Sequence, residues 1–186
     1  GDNTITGGDD VDTITVGDGA NTISTGADDD VIVLGNGANT VNAGEGADDI
    51  TFGTGLNVIT GGAGVDTFTM AATNINANTY TTIADLADGE TIVFATAGAS
   101  AVFTAAAITL ADTAAFNDFL EAATAGAGAT DAGIVSWFQF AGGTFIVNDN
   151  SDSTTFDAGT DEIVKLTGVV DLSDSAFGAA DGTFTY

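Results

Sequence analysis

From Gly1 to Thr69 a large apolar residue recurs at every ninth position: Ile5, Ile14, Ile23, Ile32, Val41, Ile50, Ile59 and Phe68. Each lies between mostly polar neighbours, a short alternation that predicts a strand with one side chain turned inward. Glycine holds the second position of every complete nine-residue unit, at Gly8, Gly17, Gly26, Gly35, Gly44, Gly53 and Gly62. Such glycines supply turn dihedrals that side chains resist. Each unit therefore reads as a turn followed by a strand, and two units make one coil of 18 residues. Stacked coils place Ile5, Ile23, Val41 and Ile59 in one sheet and Ile14, Ile32, Ile50 and Phe68 in the facing sheet. The expected fold is mainly β: a right-handed parallel β-roll over 1–70, followed by a β-rich region over 71–186 with one short helix.

The nine-residue period stops after Met70. Apolar-rich segments there predict strands near Thr91–Thr96, Ala101–Leu110, Ile134–Phe140, Thr144–Asn148 and Glu162–Leu166. Gly142-Gly143, between SWFQF and TFIVN, signals a hairpin. The spacing of Phe116, Phe119 and Leu120 predicts a helix from Thr113 to Thr124, capped by Asp112 and ended by Gly126. Trp137 lies in an alternating strand and reads as core.

Charge changes the picture. The chain carries 27 acidic residues against one basic residue, Lys165, for a net charge of -26, yet 44% of its residues are hydrophobic. Disorder needs few apolar residues, so the carboxylates must be neutralised before the chain compacts. Phosphate contacts require Lys and Arg, which excludes nucleic acid as a partner and disfavours anionic membranes. Without Cys or His there are no zinc sites, no thiol chemistry and no Ser-His-Asp catalysis. The chain is expected to have no enzymatic activity. Its first residue falls inside a repeat and no leader is visible, so the sequence reads as part of a longer protein.

The sixth position of the units alternates Asn3, Asp12, Asn21, Asp30, Asn39, Asp48, Asn57, Asp66. Because alternate units lie on opposite edges of the roll, aspartates line one edge and asparagines the other. Carboxylates about 4.8 Å apart on adjacent coils repel by roughly 1 kcal/mol in water and about 3.5 kcal/mol at an effective dielectric near 20. A Ca²⁺ ion between coils reverses the sign of that contact and takes turn carbonyls as further ligands. The expected ligands are Asp12, Asp30, Asp48 and Asp66. Backbone oxygens at the second and fourth positions join them: Gly8 and Asp10, Gly26 and Asp28, Gly44 and Gly46, Gly62 and Gly64. Asn21, Asn39 and Asn57 offer either weaker sites or a hydrogen-bonded ladder. Asp10 and Asp28 stand where the fourth-position glycine is usual, so their turns are expected to differ. First positions on the Asn edge (Val16, Leu34, Phe52, Met70) form an apolar stripe, expected to pack under the C-terminal region or a neighbouring subunit unless those positions simply accept any side chain. Asp149 and Asp152, with Asn150, Ser151, Asp157 and Asp161, are candidates for one more cation site.

These units resemble the GGxGxDxUx nonapeptides of RTX (repeats-in-toxin) proteins, and GGAGVDTFT at 61–69 fits at every position. GGAGVDTFTM followed by TTIADLADGETIVF is similar to the junction between roll and C-terminal cap in type I-secreted RTX proteins, serralysin-type proteases included. FQFAGGTFIVNDNSDSTTFDAGTDEIVKLTGVVDL resembles terminal segments of large RTX surface and S-layer-like proteins, and the ending Asp181-Gly-Thr-Phe-Thr-Tyr186 suits export. The resemblance implies a secreted, calcium-dependent module at a bacterial surface. It also implies export by a type I ABC transporter that reads the C-terminus, self-association into a surface lattice, and an outer polysaccharide as a possible contact. Two alternatives stay open. One is the secretion tail of an RTX exoenzyme; the other is an ice-binding or adhesive solenoid, suggested by Thr4-Ile-Thr6 and Thr13-Ile-Thr15 but interrupted at Val31, Val33 and Asp49.

Overall fold

A computed structural model describes residues 1–71, 79–94, 102–125, 133–151, 153–178 and 182–186. The repeats form β1 (Thr4–Gly8), β2 (Thr13–Thr15), β3 (Thr22–Ala27), β4 (Val31–Val33), β5 (Thr40–Glu45), β6 (Asp49–Phe52), β7 (Val58–Ala63) and β8 (Thr67–Met70). Odd strands pair in parallel with odd and even with even, and Ile5↔Ile23↔Val41↔Ile59 and Ile14↔Ile32↔Ile50↔Phe68 are in register. The fold is the mainly-β parallel roll that the period dictates, 18 residues to a coil.

From Val16 on, three residues per unit are buried, not one. Besides the eighth-position aliphatics, the interior takes the sixth-position Asn or Asp and the first-position residue. Val16, Leu34, Phe52 and Met70 are part of the roll's own core, at 8, 4, 0 and 0% exposure. The expected surface stripe is thus corrected: these side chains fill the corner beside the asparagines. On the opposite edge the first positions are Gly7, Thr25, Ala43 and Gly61. A side chain on Gly61 would collide with the Asp66 carboxylate, and one on Gly7 with Asp12. Small residues there make room for the acids.

Both sheets continue past the repeats. β9 (Thr81–Ile83) adds in parallel to β7, and β10 (Thr91–Val93) adds in parallel to β8. Beyond β9 the first sheet runs through β14 (Glu162–Thr167), β13 (Gly143–Asp149), β12 (Ile134–Phe140) and β11 (Val102–Phe103). Beyond β10 the second runs through β16 (Thr183–Thr185) and β15 (Ala176–Gly178). Expected segments reappear with shifted ends, and Ala101–Leu110 retains only β11 and a bridge from Ile108 to Phe138. Residues 95, 96 and 101, at the ends of two expected strands, lie outside the described residues, as do Gly126 and Asp181.

The β12–β13 turn is built by Ala141 (φ 49°) and Gly142 (φ 80°), while Gly143 already pairs with Phe140. Two consecutive positive φ values are the backbone of a type I′ turn, one residue earlier than the glycine pair suggested. Helix α1 spans Phe116–Thr124 and begins later than expected. Asp112 does not cap it; Asp118 reaches back to accept the Ala115 N–H at 2.7 Å. Phe119 stacks on Phe138 at 5.1 Å, and Phe138 on Phe145 at 5.3 Å, which fixes the helix against the hairpin. Trp137 is buried and donates to the Ala105 carbonyl at 3.1 Å. Among the described residues no helix is long and apolar enough to cross a membrane.

Candidate metal ladder

Along one edge the sixth-position aspartates form a column. Asp30 Oδ1 accepts the Asp12 N–H at 2.7 Å, Asp48 Oδ1 accepts that of Asp30 at 2.8 Å, and Asp66 Oδ1 accepts that of Asp48 at 2.9 Å. Each carboxylate thereby clips its coil to the one before. The other oxygen of each is left over: Oδ2 of Asp30, Asp48 and Asp66 is buried and has no hydrogen-bond partner. Asp30, Asp48 and Asp66 are themselves at most 1% exposed. An ionised oxygen in that position has lost water and gained nothing, which costs several kcal/mol unless a cation or proton compensates.

The titration behaviour has the same origin. Burial, reinforced by Asp66, Asp30 and Asp29 and partly opposed by the Asp30 N–H, pushes the Asp48 carboxyl up to about 6. Asp66 is also raised, chiefly by burial. These acids resist ionisation unless something positive joins them.

The column does not stop at Asp66. Thr91 N–H bonds the Asp66 carbonyl at 3.0 Å, as Thr67 N–H bonds that of Asp48 at 2.8 Å, so Glu90 occupies the next rung. Glu90 Oε2 accepts the Ala87 N–H at 2.7 Å, while Oε1 is buried without a partner. Burial, and then the facing Asp66, raise its carboxyl to about 7. Beside it, Asp85 accepts the N–H groups of Gly61 and Gly62, each at 3.0 Å, and closes the last turn of the roll. Sequence reasoning missed Glu90 because the connection to β10 is longer than a repeat. The rung falls 24 residues after Asp66, the separation also seen between Thr67 and Thr91.

The asparagine edge is organised differently. Asn3 Nδ2 donates to Asn21 Oδ1 at 2.7 Å, Asn21 to Asn39 at 2.7 Å and Asn39 to Asn57 at 2.8 Å. Asn57 Nδ2 ends the series on Thr81 Oγ1 at 3.0 Å. Each of these receiving amide oxygens also takes the N–H of the preceding Asn, at 3.1–3.2 Å. Of the two expectations for Asn21, Asn39 and Asn57, the geometry has the hydrogen-bonded ladder: donors and acceptors are matched without an ion.

Between coils the glycine turns approach closely. Gly44 (φ 122°) would drive a Cβ into the Gly26 carbonyl oxygen, and Gly62 (φ 112°) one into that of Gly44. The second-position carbonyls Gly8, Gly26 and Gly44 thus stack coil on coil, as do the fourth-position oxygens of Asp28 and Gly46 below Gly46 and Gly64. Asp28 holds a left-handed φ of 71° where Gly46 and Gly64 sit at 136° and 143°. Its turn survives with different dihedrals because Asp tolerates the left-handed region. Asp10 has no positive φ.

Among the described residues no group of three or more acidic side chains converges as a ready-made metal cage. An ion in this ladder would have to draw on carboxylates of adjacent coils, Asp30, Asp48 and Asp66 among them, and on turn carbonyls and water for the rest of its oxygen shell. Hard oxygen donors, paired charge and unpartnered buried Oδ2 atoms fit Ca²⁺.

Residues 1–23, 15–50, 24–58 and 53–69 match, in four copies, the RTX calcium-binding nonapeptide repeat. Residues 1–69 are an RTX β-roll. No curated protein matches the chain. The RTX roll binds Ca²⁺, several ions to a roll. Bound ions supply the positive charge that the chain's own side chains lack, since Lys165 is its only base.

Proposed function

We propose that this RTX protein is a structural, non-enzymatic module, exported unfolded by a type I ABC transporter and folded outside the cell by Ca²⁺. There it takes its place in a bacterial surface layer through self-association. The observation that carries this reading is the column of buried Oδ2 atoms on Asp30, Asp48 and Asp66 with no partner. In the cytosol, where calcium is scarce, that column opposes compaction. Extracellular sites with dissociation constants of about 10⁻⁴ to 10⁻³ M saturate only at the free calcium found outside, and ions that bind the coil but not the open chain stabilise it by mass action.

A chain of -26 net charge repels copies of itself until ions neutralise it, so folding and lattice formation answer to the same signal. Chelation should unfold residues 1–70, read as loss of far-UV strand signal and of amide protection in that segment. A roll that persists in chelator would overturn the switch. For the surface-layer role, ordered sheets should appear by electron microscopy after calcium is added. Persistent monomers would favour the tail of an exoenzyme instead.

A further inference from the structure

Buried acids also lie outside the repeats, where β13 ends and the chain loops back to β14, itself two strands from β7 in the first sheet. Asp149 and Asp161 are fully buried. Ser151, 7% exposed, places its hydroxyl between them, 3.4 Å from Asp149 Oδ1 and 3.5 Å from Asp161 Oδ2. Backbone donors satisfy Asp161: Asn150 and Ser151 N–H reach Oδ1 at 3.0 and 3.1 Å, and Asp157 N–H reaches Oδ2 at 2.6 Å. Asp149 is not so served. Its Oδ1 accepts from Ser151 N–H at 3.2 Å, but Oδ2 is buried with no donor.

No basic side chain answers this charge. Lys165 stands 5.9 Å over the Phe145 ring, four residues from Asp149 along β13, or about 13 Å at strand rise. Asp157 is exposed and turns its carboxylate to the Gly159 N–H at 2.9 Å. Asp152 lies outside the described residues. The site therefore consists of two carboxylates and a hydroxyl, all hard oxygens, closing both ends of one connection.

We propose that Asp149 and Asp161, with the Ser151 hydroxyl, hold a Ca²⁺ ion that pins the β13–β14 connection independently of the repeat ladder. The competing arrangement is a proton shared between the two acids. Burial, followed by the Asp161 charge, raises the Asp149 carboxyl to about 7, so the two arrangements compete near neutrality. Asp149→Asn separates them, because an amide imitates the protonated acid but cannot offer a cation a second anionic ligand.

The test is Ca²⁺ stoichiometry of the full chain by equilibrium dialysis, with amide exchange of residues 150–161 measured in parallel. Asp149→Asn should bind one ion fewer than wild type and lose calcium protection of that loop. Asp48→Asn should lose ladder ions yet keep the loop protected. Ser151→Ala, a milder change, should weaken calcium protection of the loop about tenfold in apparent affinity. Unchanged stoichiometry in Asp149→Asn, together with equal or greater thermal stability, would establish the shared proton and overturn the site. Loss of loop protection in Asp48→Asn would overturn its independence.

Discussion

Asp48→Asn isolates what calcium does for the roll. Asp48 is 1% exposed and stands between Asp30 and Asp66, so it borders two inter-coil positions. Its carboxyl titrates near 6 in the roll against 3.8 in the open chain. A folded-state value above the unfolded one means that the stability it confers is complete below about pH 4 and gone above about pH 6. At neutral pH and without calcium, holding it ionised costs on the order of 3 kcal/mol. Asparagine removes that cost. Its oxygen still accepts the Asp30 N–H, and its amide can donate to Asp66 as Asn21 does to Asn39 at 2.7 Å. The calcium-free variant should therefore be more stable than wild type by about that amount.

In calcium that advantage is offset. Each lost position forfeits about 1.4 kcal/mol when free calcium is ten times its dissociation constant, or about 3 kcal/mol for two. Urea unfolding followed by circular dichroism, in metal-free buffer and in calcium, should thus show the two proteins separated without calcium and nearly superposed with it. An Asp48→Asn protein no more stable than wild type in chelator, or one keeping the full wild-type calcium increment, would refute the ladder as the site of binding.

Further expectations concern pH and the opposite edge. Because Asp48, Glu90 and Asp149 are all raised, to about 6, 7 and 7, the metal-free protein should be more stable at pH 5 than at pH 7.5; urea midpoints falling in the other direction would count against buried, uncompensated acids. Asn39→Ala removes the acceptor of Asn21 and the donor to Asn57, which should cost about 1–3 kcal/mol. That loss should be the same with and without calcium, and a calcium-dependent loss measured in the same titrations would move ion binding to the asparagine edge.

Much of the roll was legible because its information is local and repeated. A glycine turn, one buried aliphatic and one sixth-position acid or amide recur every nine residues, and each copy fixes the register of the next. The alternation of Asn and Asp therefore separates an acidic edge from an amide edge, though by itself it leaves weak ion sites and a hydrogen-bonded ladder both open on the amide edge. Burial of the first position was harder to see: Val16 and Leu34 read equally well as a surface stripe until the chain's path turned them into the corner beside the asparagines.

Past Met70 the local repetition ends, and register is set by what the whole sheet can bury. Thr81 and Glu90 become terminal rungs because β9 and β10 dock 24 residues beyond their partners, a spacing no periodic reading contains. The helix start moved because Asp118, not Asp112, reaches the free N–H of Ala115. The run of acids and amides from Asp149 to Asp161 marks a candidate cluster, but only the pairing of β13 with β14 brings Asp149 and Asp161 to one buried point. Sequence by itself determined which residues repeat and hence how one coil stacks on another. The tertiary structure decided where that stacking ends and which acids lose their water, because those depend on contacts between segments that share no period.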